Sequence, residues 1–152
     1  PEGNKRIRSA QQTLPAEFFQ KLDAAIAFTP LGETDAYAPE TGFSNGLPAV
    51  RDVSKGETWL AHCYGMVGAG RGEALDSGGG LELYAVIGHA PRHLDRNVTL
   101  LGRVVQGIEQ LSSLPRGTGG LGFYEKPAQR VPLQKVRMAA DMCPTAAITV
   151  EG

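Results

Sequence analysis

Residues 80–107 read GLELYAVIGHAPRHLDRNVTLLGRVVQG. Leu81, Leu83, Ala85 and Ile87 alternate with Glu82, Tyr84 and Val86. Side chains two positions apart share one face of a strand, so 81–88 reads as a strand. In that register Leu83 and Ala85 face the core, while Glu82 and Tyr84 point away from it. Residues 99–105 (TLLGRVV) read as a second strand, and 107–114 (GIEQLSSL) as a short helix stopped by Pro115. Between the strands, Asp95-Arg96 reads as a turn in which Asp95 bonds nearby N–H groups.

The flanks extend the same pattern. Residues 47–52, Ser54-Lys55-Gly56 and 57–63 (ETWLAHC) predict a hairpin, with Trp59, Ala61 and Cys63 on one face of its second arm and Leu60 and His62 on the other. Residues 65–80 hold seven Gly and read as a loop joining two strands. A phosphate loop is disfavoured, because no Gly-Lys-Ser/Thr closes Gly68-Ala69-Gly70-Arg71-Gly72 and no helix follows it. Upstream, 29–47 reads as a long surface loop and 1–14 as an exposed polar arm. Residues 14–28 (LPAEFFQKLDAAIAF) fit two readings. Phe18, Leu22, Ala25 and Ile26 suit a helical face with Thr13 as N-cap, and Phe18-Phe19 suits an extended segment. Downstream, 116–130 reads as loop and 131–140 as a last strand with Leu133, Val136 and Met138 toward the core; no pattern stands out after Asp141. Several short strands with few helices predict an all-β barrel or sandwich.

Composition narrows the class. The 152 residues are 41% hydrophobic and 20% charged, which fits one globular domain, 1–152, with one core. Fifteen Lys+Arg against sixteen Asp+Glu give a net charge of -1, with no basic excess to suggest a nucleic-acid or anionic-membrane partner. No apolar run approaches the roughly 20 residues of a membrane-spanning helix. Twenty Gly and ten Pro argue against a helical bundle. The chain begins at Pro1 without a visible signal peptide.

Within 80–107, a strand carries Glu82 and, two positions on, Tyr84, and ends at Gly88. A loop brings His93-Leu94-Asp95, and the next strand closes with Leu101-Gly102-Arg103-Val104-Val105-Gln106-Gly107. This run resembles the cyclophilin-type peptidyl-prolyl isomerases, most of all their bacterial branch. Gly65-Met66-Val67-Gly68-Ala69-Gly70-Arg71 resembles the family's strand before the substrate groove, 108–111 its short helix, and 136–141 its closing strand. The resemblance implies a mainly β fold, a cyclophilin-like antiparallel β-barrel that is incomplete here, with one or two short helices. It implies peptidyl-prolyl cis-trans isomerase activity in protein folding, and proline-containing peptides or unfolded proteins as partners. A bacterial cytoplasm or periplasm follows, the periplasm favoured.

Rotation about a peptide bond faces a barrier of about 18–20 kcal/mol. Its catalyst needs no nucleophile, metal or cofactor, only tighter binding of the twisted amide than of either planar form. By the resemblance, Tyr84 and Leu94 wall a proline pocket, and His93 stands where Trp is frequent. Glu82 stands in place of Gln; Gly70 and Arg71 pair their backbone with an extended substrate. A carboxylate at Glu82 accepts hydrogen bonds but offers no N–H.

Two departures matter. The family's Arg-x-x-x-x-Phe-x-x-Gln-x-Gly motif does not occur, so no catalytic residue is assigned; the chain is expected to start just after it. Val98 stands where the family has a His. Little isomerase activity is therefore expected of this polypeptide alone, with self-association through unpaired strand edges. The alternative functions are a non-catalytic module that holds Pro-containing segments and an unrelated barrel that encloses a ligand. No metal site is expected, since His62-Cys63, His89 and His93 lack ligand spacing. Ser77, His89 and Asp95 make a triad only on paper, without a Gly-x-Ser-x-Gly elbow. Cys63 and Cys143 leave open a pairing in an oxidising compartment, against Cys63 as a small packed apolar residue.

Overall fold

The computed structural model describes residues 12–138 and 147–151. Ten strands form two five-stranded sheets. The first contains β1 (Gln20–Lys21), β2 (Thr29–Pro30), β3 (Glu40–Ser44), β4 (Leu47–Asp52) and β5 (Glu57–Leu60), in the spatial order β1-β5-β4-β3-β2. The second contains β6 (Met66–Ala69), β7 (Leu83–Ala85), β8 (Leu100–Gln106), β9 (Lys135–Met138) and β10 (Ala147–Glu151), in the order β7-β6-β8-β10-β9. One helix, α1 (Ile108–Ser113), follows β8. Every pairing is antiparallel except β8 with β10, which is parallel. The mainly β reading holds, and the sheets do not close into a barrel among the described residues.

The β4–β5 hairpin lies where its turn chemistry predicts. Asp52 organises the turn: Ser54 Oγ and the Lys55 N–H donate to its Oδ1 at 2.5 and 3.2 Å, and Lys55 Nζ lies 2.9 Å from Oδ2. These contacts, Ser54's first and then those of Lys55, hold the Asp52 carboxyl at about 2. Residues 29–47 are not one loop. β3 lies inside them, joined to β4 by Asn45-Gly46, both with positive φ, as a two-residue hairpin turn demands.

Residues 14–28 form no helix: long-range hydrogen bonds claim the backbone over 14–22, and a turn closed by the Ile26 N–H on Asp23 O follows. Leu14 exchanges two with the glycine-rich segment, its N–H donating to Gly78 O and its O accepting from the Ser77 N–H. The Glu17 N–H donates to Ser77 Oγ, and the Leu22 N–H to Gly56 O. Nor is 65–80 all loop, since its first part is β6, buried at all four positions. The short helix holds as α1, and Ile108 and Leu111 pack beside Val67, Val104 and Ala85 in one small core. A second core joins Ala38, Val50, Trp59 and Ala61, with Cys63 against it.

Three expectations fail at sheet edges. The strand read over 81–88 pairs only at Leu83–Ala85, and Leu83, expected inside, is 52% exposed. β7 has a partner on one side only, and no layer among the described residues covers Leu83. Leu133, Val136 and Met138, also expected inside, are exposed, Met138 by 63%: Leu133 precedes β9, and no layer among the described residues covers either face of that strand. β10 lies in the tail that carried no pattern. The Cys63–Cys143 pairing, residues 1–11 of the arm and the end of the last strand lie outside the described residues.

Candidate functional site

The site is built on the β6–β7 pair. In its register Gly68 lies opposite Tyr84, and Ala69 opposite Leu83. The Tyr84 ring lies across Gly68, where an added Cβ would come within 2.7 Å of Tyr84 Cε1. Only glycine admits an aromatic ring at that distance. The ring thus crosses β6 and reaches His62, which precedes that strand.

His62 is 0% exposed. Its Nε2 lies 2.8 Å from the Tyr84 hydroxyl, and the two rings are parallel to within 8°. On its other side Asp95 Oδ1 accepts twice, from the His62 backbone N–H and from Nδ1, both at 2.9 Å. Arg92 Nε donates to Asp95 Oδ2 at 2.6 Å, and Arg92 Nη1 donates to Asp35. The Arg92 guanidinium also lies over Tyr37. One polar chain therefore runs Tyr84–His62–Asp95–Arg92–Asp35.

The chain sets the ionisation of its members. Burial, and secondarily the Asp95 charge, push the Tyr84 hydroxyl up to about 12, so it remains a donor at neutral pH. Burial pushes Asp95 upward, but hydrogen bonds from His62 and Arg92, with the Arg92 charge, outweigh it and hold the carboxyl below its usual range. Asp35 follows the same pattern through Tyr37, Ala38 and Arg92.

The residues singled out in the sequence fall into two groups. Gly70, Arg71 and Glu82 line one open cleft of about 340 Å³ beside the glycine-rich segment. The Gly70 N–H already donates to Glu82 O at 2.7 Å, so that backbone donor is not free for a substrate. Arg71 is likewise engaged, donating to Asn97 O, Asn97 Oδ1, Gly72 O and Ala74 O. Tyr84, His93 and Leu94 do not line that cleft. His93 and Leu94 sit on the single 3-10 turn Arg92–Leu94, His93 exposed and Leu94 half-buried. That turn is tied to Tyr84 through Arg92, Asp95 and His62.

Ser77, His89 and Asp95 form no triad. The Ser77 hydroxyl donates to Pro15 O at 2.6 Å, His89 is exposed, and Asp95 serves His62. Arg96 pairs with Glu57 at 2.9 Å and lies over Phe19 and Trp59. A separate cavity of about 210 Å³, lined in part by Phe18, Phe19, Trp59 and Leu100, contains none of the residues assigned to the groove.

The family described as cyclophilin type peptidyl-prolyl cis-trans isomerase/CLD matches residues 3–139. The chain belongs to this family. Cyclophilins catalyse peptidyl-prolyl isomerisation as a family and bind proline-containing peptides. The cyclophilin AquaCyp293 from Hirschia baltica shares the fold, with a TM-score of 0.59 and 25% identity over 82% of this chain. The match spans 52% of that protein's chain, about half its length. The comparison with curated proteins gives no match.

In this cyclophilin domain the residues missed by sequence reasoning are His62, Arg92 and Asp35. The one local signal was Gly68 in an otherwise apolar strand, which marks a close approach. Asp95 does not bond the nearby backbone N–H groups expected of it; its oxygens accept from His62, 33 residues away, and from the Arg92 side chain.

Proposed function

We propose that this chain supplies the proline-binding side of a peptidyl-prolyl isomerase domain, and that residues 1–152 alone hold X–Pro segments with little turnover. The observation that carries the reading is the single polar chain that joins the Tyr84 ring to the turn bearing Leu94. A proline ring is apolar and needs an aromatic face and an aliphatic wall held in fixed relation, the roles this reading gives to Tyr84 and Leu94. Glu82 lies next along the same strand pair and offers a carboxylate acceptor to the flanking peptide, while the Gly70 N–H stays on Glu82 O.

Turnover needs one feature more, a donor aimed at the twisted amide. Arg71, Arg92 and Arg96 are each committed to carbonyls or carboxylates. Arg92 keeps one unpartnered nitrogen, Nη2, but its Nε and Nη1 are fixed by Asp95 and Asp35 inside the polar chain. This favours the module that binds Pro-containing segments for residues 1–152, within a family whose chemistry is isomerisation.

The test is a titration of the tetrapeptide Ala-Ala-Pro-Phe into the chain, followed by amide NMR. Saturable shifts at 62–70, 82–86 and 92–95 are expected, with binding lost in Tyr84→Ala. Binding unaffected by Tyr84→Ala, or no binding at all, overturns the reading.

A further inference from the structure

We propose that His62 is a positioning residue of the proline pocket: anchored by Asp95, it fixes the Tyr84 ring and ties its hydroxyl away from the peptide. The inference rests on the reading of Tyr84 as a pocket wall.

The geometry assigns each proton. Asp95 is a carboxylate and only accepts, so His62 Nδ1 carries the proton that it accepts at 2.9 Å. Nε2 is then the acceptor we assign to the Tyr84 O–H, 2.8 Å away. Asp95 also accepts from the His62 backbone N–H, so the imidazole is held at main chain and ring together. Such support fixes both tautomer and ring plane.

Two consequences follow for the pocket. First, an unanchored tyrosine on an edge strand samples several side-chain rotamers. Tyr84 instead lies flat over Gly68 with its hydroxyl turned toward a fully buried partner. Tyr84 as a residue is half-buried, so part of it is left open for the proline while the polar atom is withdrawn. Second, Asp95 is shared: Oδ1 faces His62 and Oδ2 accepts from Arg92, the first residue of the turn that carries His93 and Leu94. Both proposed walls are thus referenced to one carboxylate, and their separation is set before a peptide arrives. Preorganisation of this kind strengthens binding by removing the cost of ordering the walls.

The test uses the whole chain. Nitrogen-15 spectra of the wild type should show His62 protonated at Nδ1 and bare at Nε2. His62→Asn keeps a donor toward Asp95 but is too short to reach Tyr84; Tyr84→Phe removes the other end of the same bond. Each should weaken Ala-Ala-Pro-Phe binding about three- to tenfold, the range of one hydrogen bond. The double variant should lose no more than either single one, because both remove the same interaction. Wild-type affinity in Tyr84→Phe, losses that multiply, or a proton at Nε2 would overturn the inference. If His62→Asn does not fold, Tyr84→Phe and the wild-type tautomer decide. Tyr84→Ala separates the two claims. If it leaves binding intact, the pocket reading itself is wrong; if it abolishes binding while Tyr84→Phe does not change it, only the positioning role of His62 falls.

Discussion

Asp95 joins His62 to the turn that carries Leu94. Its side chain is 4% exposed and serves His62 on one oxygen and Arg92 on the other. Asp95→Asn removes a buried charge and turns a donor toward a donor. Breaking such a pair costs on the order of 3 kcal/mol, which a urea midpoint at neutral pH measures. The pH dependence has a definite sign. Against the effect of burial, hydrogen bonds from His62 and Arg92 hold the Asp95 carboxyl below the usual carboxylate range, so the folded chain binds this proton less tightly than the unfolded chain does. Its stabilisation is complete above that range and is lost as pH falls through the folded value. Asp52, held at about 2, adds to the same loss. Wild-type stability should therefore fall as pH drops from about 4 toward 2, more steeply than in Asp95→Asn. Identical acid limbs in the two proteins would show that Asp95 does not stabilise the fold in this way.

At the scale of elements, what was legible was local. The β4–β5 hairpin, β8 and α1 follow from alternation, turn residues and a stop at Pro115, all within a few positions of one another. Asn45-Gly46 announced β3 as well, but it sat in a stretch rich in turn formers and was read as loop. The edges were not legible. Leu83, Val136 and Met138 are apolar at strand positions, yet no second layer covers them among the described residues, and alternation alone does not say whether one does. The polar chain was hidden for a different reason: His62 and Asp95 meet through tertiary structure, across 33 residues. The edges bear on behaviour in solution. β9 is exposed at all four positions, and β7 is paired on one side only. Unpaired N–H and C=O groups on such edges template pairing with another chain. β2 is protected by Pro30, which offers no N–H. We therefore propose self-association through β7 or β9. Sedimentation velocity should show dimers and larger species growing with concentration, suppressed by Val136→Lys. A monomer at every concentration would refute it.

For the whole molecule, the proposed function sets an apolar wall at Tyr84 and Leu94 beside guanidinium groups of Arg71, Arg92 and Arg96 that already hold other partners. Losing a donor aimed at developing charge costs about 10²–10³ in rate, while binding through the wall persists. On the proposed function, binding and turnover separate in residues 1–152, although they coincide in the family's chemistry. The most direct measurement is exchange NMR of the Ala-Ala-Pro-Phe peptide, which reads binding shifts and cis–trans exchange in one sample. The account predicts saturable binding at the Tyr84 wall with exchange close to the uncatalysed rate. Exchange accelerated about 10²-fold or more by residues 1–152 alone would contradict it, and would mean that Arg71 or Arg96 leaves its present partners to act on the amide.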